Sequence, residues 1–134
     1  MPHVAEPRWV SRVVIDAVHL DLIRAHGGMP GTRDEDLLES ALARPRQRWA
    51  YDTSADLGAL AAAYGYGLAR NHPYHDGNKR VAFVAMAVFV GLNGFELVAD
   101  EADVVTTIVA LAAGALDEDA LAEWARAHLV SREL

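Results

Sequence analysis

The chain has 134 residues, of which 52% are hydrophobic, and a formal net charge of −7. These values predict one globular domain, residues 1–134, that buries a substantial core, and they exclude an intrinsically disordered chain. The acidic balance argues against direct binding to nucleic acid or to a membrane surface, because both attract positive charge. Cysteine is absent, which excludes disulfide bonds and thiolate metal sites.

The hydrophobic segments are too short for membrane insertion. Residues 1–30 contain no basic stretch followed by an apolar one, so we expect no secretory signal and a cytoplasmic location. Residues 81–90 are an unbroken apolar run that is too short to cross a bilayer. This run favours a central buried helix instead.

Two helices are predicted in the first third of the chain. Ser11 is a suitable N-cap for an amphipathic helix that Gly27 and Gly28 end. After the turn at residues 29–31, Thr32 or Asp34 can cap a second helix, which we expect Pro45 to close.

The remaining pattern is also mainly helical. A helix is predicted over residues 56–70, and its three glycines suggest close packing against the helix that starts near Asn78. Asn93-Gly94 ends that apolar helix, and residues 95–98 are long enough only for a short strand. Two further helices are predicted over residues 102–113 and 118–129. The pattern as a whole predicts an all-α compact bundle with one short hairpin.

Residues 44–51 do not suit a helix, because arginine and aromatic residues alternate there. This alternation favours an extended segment. The alternative interpretation is an ordinary basic connector.

Residues 72–80 read His-Pro-Tyr-His-Asp-Gly-Asn-Lys-Arg, and they carry the chemistry of the chain. They precede the apolar run, so we expect them on a loop that ends in a helix N-terminus, which favours a bound anion. His72 can remove a proton from a hydroxyl near neutral pH. Asp76 can bind Mg²⁺, or alternatively cap the helix.

The last four residues of this segment suit a phosphate group. Gly77 permits close backbone approach, Asn78 can donate through its amide, and Lys79 and Arg80 supply positive charge. Lys79 is the only lysine in the chain, which suggests a specific role, although codon preference is an alternative explanation. Tyr74 is expected to pack in the core and support the loop.

The motif resembles the signature of the Fic/Doc superfamily, H-x-F-x-[D/E]-[A/G]-N-[G/K]-R. Upstream, residues 26–31 (His-Gly-Gly-Met-Pro-Gly) are similar to the Gly-Gly-x-Pro-Gly turn of Doc proteins. The resemblance extends over about residues 10–129 and implies the Fic/Doc helical bundle. Lys79 matches the Doc group, which transfers phosphate, whereas Gly at that position is typical of Fic proteins, which transfer AMP.

The resemblance also implies the ligands and partners of the site. The expected ligands are ATP and Mg²⁺, with His72 as general base and Asp76 on the metal. A short flap or hairpin before the motif helix pair would align the target protein, and its residues would be Arg46, Arg48, Trp49 and Tyr51. The target associated with the Doc group is elongation factor Tu. The expected inhibitor is a Phd-like antitoxin that covers the active site, because the chain lacks the [S/T]-x-x-x-E-[G/N] inhibitory motif of Fic proteins.

Two alternatives stay open from the sequence. Gly77 and Pro73-Tyr74 are closer to the Fic form, so AMP transfer is the first alternative. The second is an HD-type metal phosphohydrolase built on His75-Asp76, which would need further ligands such as His19, His26 and Asp52. That scheme leaves the Gly-Asn-Lys-Arg sequence without a role.

Overall fold

The computed structural model describes residues 5–132, which form six helices and two short strands. In chain order these are α1 (Arg12–His26), α2 (Glu35–Tyr51), α3 (Leu57–Asn71), α4 (Asn78–Leu92), β1 (Phe95–Leu97), α5 (Glu101–Ala112), α6 (Glu118–Ala127) and β2 (Leu129–Ser131). The predicted all-α fold is confirmed.

Local capping explains where most helices begin. Ser11 accepts a hydrogen bond from the N–H of Val14, as its predicted capping role requires. Asp34, rather than Thr32, caps α2 through the N–H of Leu37. Asp56 and Asp117 cap α3 and α6 in the same way. Each of these side chains satisfies a backbone donor that the first helical turn leaves unpaired.

Helix α3 is the central element of the bundle. It packs against α2, α4 and α6, and most of its residues from Gly58 to Ala69 are buried. Its glycines lie at the closest approaches. A Cβ on Gly65 would overlap the Sδ of Met86 in α4, and one on Gly67 would lie 3.1 Å from the Cα of Ala41 in α2. The predicted close packing of α3 against α4 is therefore confirmed.

The prediction that residues 44–51 are extended is wrong, and so is the prediction that Pro45 ends the second helix. Helix α2 continues through Pro45 to Tyr51. A proline inside a helix removes one hydrogen bond and costs about 3 kcal/mol. Tertiary contacts offset this cost: Pro45 is buried, Trp49 packs against the core, and the Arg44 guanidinium lies 4.6 Å from the ring centre of Tyr66.

The two strands pair with each other, but they do not form the predicted hairpin. β1 pairs antiparallel with β2, with Leu97 opposite Leu129. Helices α5 and α6 separate the two strands in sequence. Leu129 therefore belongs to β2, and the last helix ends earlier than the sequence pattern predicted. Within residues 5–132, no helix combines the length and hydrophobicity of a membrane-spanning segment.

The glycine at position 65 gives a direct test of this packing. Gly→Ala inside a helix normally stabilises it by about 1 kcal/mol. For Gly65→Ala we expect instead a loss of about 1–3 kcal/mol, because the new methyl group overpacks the contact with Met86. Urea denaturation measures both effects. Gly91→Ala in α4 is the matched control, because its Cβ would meet only the flexible tip of Arg132 at 3.4 Å, so this variant should be neutral or stabilised. A Gly65→Ala protein as stable as Gly91→Ala would contradict the close packing.

Candidate active site

A cavity of about 770 Å³ lies where the loop between α3 and α4 meets α5. Its volume is in the range that small-molecule sites occupy. One side is polar and comes from the loop and the first turn of α4: His72, Asp76, Gly77, Asn78, Lys79 and Arg80. The rest of the lining is mainly apolar and includes Phe83, Val104, Val105, Ile108 and Val109. The fold therefore brings the predicted motif residues together in one cavity.

His72 stands at the end of α3 in a left-handed conformation, with φ 51° and ψ 52°. It is the only non-glycine residue with positive φ in the described part of the chain. Such a conformation costs about 1–2 kcal/mol in an L-residue, so the surrounding contacts must hold it.

Arg33 supplies part of that support. Its Nε donates to the carbonyl oxygen of His72 at 2.8 Å, and its Nη2 donates to that of Asn71 at 3.1 Å. The N–H groups of Arg33 and Asp34 both donate to the carbonyl oxygen of Pro73. A cation at a helix C-terminus satisfies its free carbonyls and complements the helix dipole. Arg33 therefore anchors the loop on the segment before α2.

Asn78 closes the loop from the other end, and its side chain is buried. Its Oδ1 accepts from the N–H of Tyr74, and its Nδ2 donates to the carbonyl oxygen of Tyr74, each at 2.9 Å. The same Nδ2 lies 2.9 Å from Nδ1 of His72. Both amide hydrogens are thus used inside the loop. In this arrangement the side-chain amide of Asn78 is engaged inside the loop, and its backbone N–H is the donor that stays free.

Asp76 faces the turn before α2 rather than the helix that follows it. Its Oδ2 accepts from the N–H of Met29 at 2.6 Å. The turn comes so close that a Cβ on Gly28 would lie 3.0 Å from the Cβ of Asp76. Helix α4 has Gly77 at its N-cap, with φ 79° and no side-chain cap. The alternative in which Asp76 caps α4 is therefore wrong.

His19 supports the loop between α3 and α4. Its Nε2 lies 2.7 Å from the carbonyl oxygen of Asp76, and a carbonyl can only accept, so Nε2 carries a proton and donates. The buried His19 ring stacks on the ring of Tyr74 with centres 3.7 Å apart. His19 therefore fixes the backbone at the point where the chain turns into α4.

Tyr74 connects the loop to a charged network. Its ring is buried and its hydroxyl donates to Asp16 at 2.7 Å. Burial, together with this hydrogen bond, raises the pKa of the Tyr74 hydroxyl, so the group stays protonated and keeps donating. Arg12 donates to both Asp16 and Glu35, and the bond from Arg12 lowers the pKa of Glu35. Tyr74 thus attaches the loop to α1 and, through Arg12, to α2.

Lys79 and Arg80 are exposed in the first turn of α4 and border the cavity. Neither makes an ion pair with a residue in the range 5–132, whereas Arg12, Arg44 and Arg126 all do. Two cations at a helix N-terminus oppose the helix dipole. A bound anion would offset that repulsion and use the free N–H groups of the first turn.

The predicted flap residues lie elsewhere. Arg46, Arg48, Trp49 and Tyr51 are on the last turns of α2, and none of them lines the cavity. Tyr51 is 94% exposed, and the side chain of Asn71 donates to the carbonyl oxygen of Leu37. Neither residue lines the cavity.

Three residues of the site were not identified from the sequence. They are Arg33, His19 and Glu101. For His19 the structural role was missed, and Glu101 lines the cavity from the start of α5. The Gly-Gly-x-Pro-Gly turn was a partial signal, because it lies beside Asp76. No local pattern marks Arg33 or Glu101, whose roles depend on contacts between distant segments.

The donor set suits only one kind of metal. Among residues 5–132, no three or more His, Asp and Glu side chains converge as a metal site. His19 is bound to the loop backbone, and Asp52 accepts from Ser54, so the HD-type ligand set is not assembled. Asp76, an exposed carboxylate beside the uncapped start of α4, would fit Mg²⁺, which takes one or two carboxylates together with phosphate oxygens and water.

Comparisons with known proteins agree with this geometry. Residues 9–90 match the Fic/DOC family. The chain is 31% identical over 119 residues to "Protein kinase doc" of Escherichia phage P1, which covers 89% of this chain and 94% of that protein. It is 44% identical over 77 residues to "Toxin Doc" of Mycolicibacterium smegmatis, which covers 57% of this chain and 59% of that protein.

The fold and site therefore define a helical protein whose motif loop borders a cavity at the uncapped start of a buried helix. The chain belongs to the Fic/DOC family.

The contacts of Arg33 predict a measurable contribution to stability. Arg33→Ala removes two hydrogen bonds to helix-end carbonyls, and we expect a loss of about 0.5–1.5 kcal/mol in the free energy of unfolding. Urea denaturation gives the value. Arg24→Ala is the control, because Arg24 is an exposed cation in the last turn of α1 that donates no hydrogen bond to a described side chain or carbonyl. Equal effects of the two substitutions would show that Arg33 does not anchor the loop.

Proposed function

We propose that this protein is a Doc-like toxin that transfers the γ-phosphate of ATP to a hydroxyl side chain of a target protein. The observation that carries the proposal is that His72 and Asp76 lie beside Lys79 and Arg80 at the start of α4. That helix start has no side-chain cap, and neither cation forms an ion pair with a residue in the range 5–132. The similarity to a protein named as a kinase, over 89% of the chain, supports the same reaction.

His72 acts as the general base of the transfer. The target hydroxyl loses its proton to the imidazole while its oxygen attacks the γ-phosphorus. The bond from the γ-phosphorus to the bridging oxygen breaks, and ADP leaves with that electron pair. The charge of the transferred group is balanced by Lys79, by the Arg80 fork and by the N–H groups that begin α4.

Asp76 is the residue that would hold Mg²⁺. One of its oxygens is used by Met29, and the other has no hydrogen-bond donor among residues 5–132. When bound, the metal neutralises phosphate charge. The hydrogen bond from Met29 fixes the carboxylate, so the turn at residues 28–31 sets the direction of this ligand.

Regulation by an antitoxin is part of the proposal. Val105 and Val109 are one helical turn apart on α5, about half-exposed, and they border the same cavity as Lys79 and Arg80. An amphipathic helix with apolar and acidic side chains would match both surfaces. We infer that a Phd-like antitoxin binds there and blocks access to His72.

The target is a protein with an accessible hydroxyl, and elongation factor Tu is the candidate carried over from the Doc group. An extended flap does not mark the docking surface, because residues 44–51 are helical. We propose instead that the arginines on the last turns of α2 contact the target from their helical positions. Arg46 and Arg48 remain the residues concerned.

Replacing the base tests both the enzyme and the toxin. His72→Ala should lower phosphate transfer by at least about 10²–10⁴-fold, as is typical when a general base is lost. Expression of the wild-type chain should arrest bacterial growth, and His72→Ala should relieve the arrest. His75→Ala is the control, because His75 is exposed in the same loop and borders the same cavity but has no role in the proposed transfer, so this variant should keep transfer and toxicity close to wild type.

Two results would contradict these roles. Transfer by His72→Ala near the wild-type rate would remove His72 from the mechanism. Normal growth of cells that contain soluble, active wild-type protein would refute the toxin role but leave the transferase role standing.

AMP transfer is the second candidate, and Gly77 and Pro73-Tyr74 favour it because they match the Fic form of the motif. Lys79 decides between the two reactions. Its side chain and charge occupy the position where a glycine would leave an open group of backbone N–H donors. We infer that ATP therefore binds with its γ-phosphate nearest His72.

Parallel reactions with α-labelled and γ-labelled ATP measure this orientation. We expect protein label only from the γ-position and ADP as product, with mass spectrometry showing added phosphate. Lys79→Gly should reduce this activity and increase AMP transfer relative to it. Protein label from α-labelled ATP with the wild-type enzyme would refute the kinase and establish AMP transfer.

A further inference from the structure

The contact between Asn78 and His72 determines which ring nitrogen of His72 carries its proton. The two atoms involved are Nδ2 of Asn78 and Nδ1 of His72, 2.9 Å apart. The rest of the His72 ring borders the cavity, and Nε2 has no hydrogen-bond partner among residues 5–132. The proton can therefore be assigned from the direction of one hydrogen bond.

The orientation of the Asn78 amide is fixed by the backbone. The N–H of Tyr74 can only donate, so the atom 2.9 Å from it must be the Asn78 oxygen. The carbonyl oxygen of Tyr74 can only accept, so the atom 2.9 Å from it must be the amide nitrogen. Both contacts would be lost if the amide were flipped. The group that faces His72 is therefore an N–H donor.

The ring nitrogen that receives this donor must have a free electron pair. Nδ1 of His72 is consequently unprotonated, and in the neutral ring the proton is on Nε2. The opposite tautomer would place two N–H groups against each other inside the loop. A neutral imidazole with its proton on Nε2 cannot accept another one there.

We propose that Asn78 is a positioning residue that holds His72 in the Nε2–H tautomer. The unliganded site is then latent, in the sense that Nε2 of His72 cannot accept a proton from a target hydroxyl. The proposal rests on the role of His72 as base, and that role then requires a change of tautomer before transfer. The Nε2 proton must leave to water and Nδ1 must gain one, so the charge of the ring is unchanged. Asn78 must first turn its N–H away from Nδ1. A phosphate oxygen at the start of α4 is a competing acceptor for that N–H.

The tautomer of His72 can be read by ¹⁵N NMR of histidine-labelled protein, with the His72→Gln spectrum used for assignment. We expect the unliganded wild type to show Nε2 protonated and Nδ1 unprotonated, with the Nε2–H tautomer favoured by at least about tenfold. A hydrogen-bond coupling between the Asn78 amide and Nδ1 should also be present. A protonated Nδ1, or the absence of that coupling, would overturn the proposal. These readouts do not depend on activity, so they stand even if the transferred group is AMP.

A near-isosteric variant identifies Asn78 as the cause, because an unrestrained histidine can also adopt the Nε2–H form. Asn78→Asp replaces the donor with an acceptor, and we expect the His72 proton to move to Nδ1. The matched control is Asn93→Asp. Asn93 also accepts from a backbone N–H and donates to backbone carbonyls, but it does so at the end of α4. Its substitution should leave His72 in the Nε2–H form. An unchanged His72 tautomer in folded Asn78→Asp would overturn the role of Asn78.

The release step is tested with Mg²⁺ and a non-hydrolysable ATP analogue. When the wild-type protein is saturated, we expect the coupling between Asn78 and Nδ1 to disappear and a protonated Nδ1 to be detected. Saturation is established from shifts of the Lys79 and Arg80 backbone signals. If the saturated protein keeps the Nε2–H tautomer, the latent site is refuted, while the proposed transferase activity is still judged by its own labelling experiment.

Discussion

The site depends on the hydrogen bonds that the buried side chain of Asn78 makes. Its three hydrogen bonds close the loop between α3 and α4 and join Tyr74 and His72 to the first residue of α4. Asn78 is also almost fully buried, so losing any of these partners would leave a polar group unsatisfied. Without a bound ligand, these contacts hold the loop in one arrangement. The His72 imidazole, the proposed base, and the start of α4, the proposed anion site, are then fixed relative to each other.

The packing of the helices determines where that loop can lie. Glycines allow α3 to approach both α2 and α4 closely, and the short loop that joins α3 to α4 begins with His72 in a left-handed conformation. The segment before α2 then supplies the missing support: Arg33 binds the end of α3, and the N–H of Met29 binds Asp76. Segments that are far apart in sequence thus stabilise the site together. Contacts outside the motif offset the backbone strain at His72.

Features that depend on local sequence were predicted correctly, whereas those that depend on distant contacts were not. Ser11 and the turn at Gly27 determine the ends of α1 through their own backbone geometry, and the pattern showed both. Pro45 was misread because the local cost of a proline is real, and the burial that offsets it comes from other helices. His19 and Arg33 were missed for the same reason. The motif predicted which residues gather in the cavity, but not that the Asn78 amide is used inside the loop.

The charge distribution explains how an acidic protein can present an anion site. The chain has a net charge of −7, which opposes the approach of a nucleotide. At physiological ionic strength, however, exposed charges are screened beyond about 8 Å. Several acidic side chains are already paired with arginines, as Glu35 and Asp56 are. The cavity is lined by Asp76 and Glu101 as well as by Lys79 and Arg80, and the two cations lie in the first turn of α4, beside its free N–H groups. The net charge therefore argues against binding to a broad anionic surface such as nucleic acid, while the proposed site for a small anion depends on two local cations and a helix N-terminus.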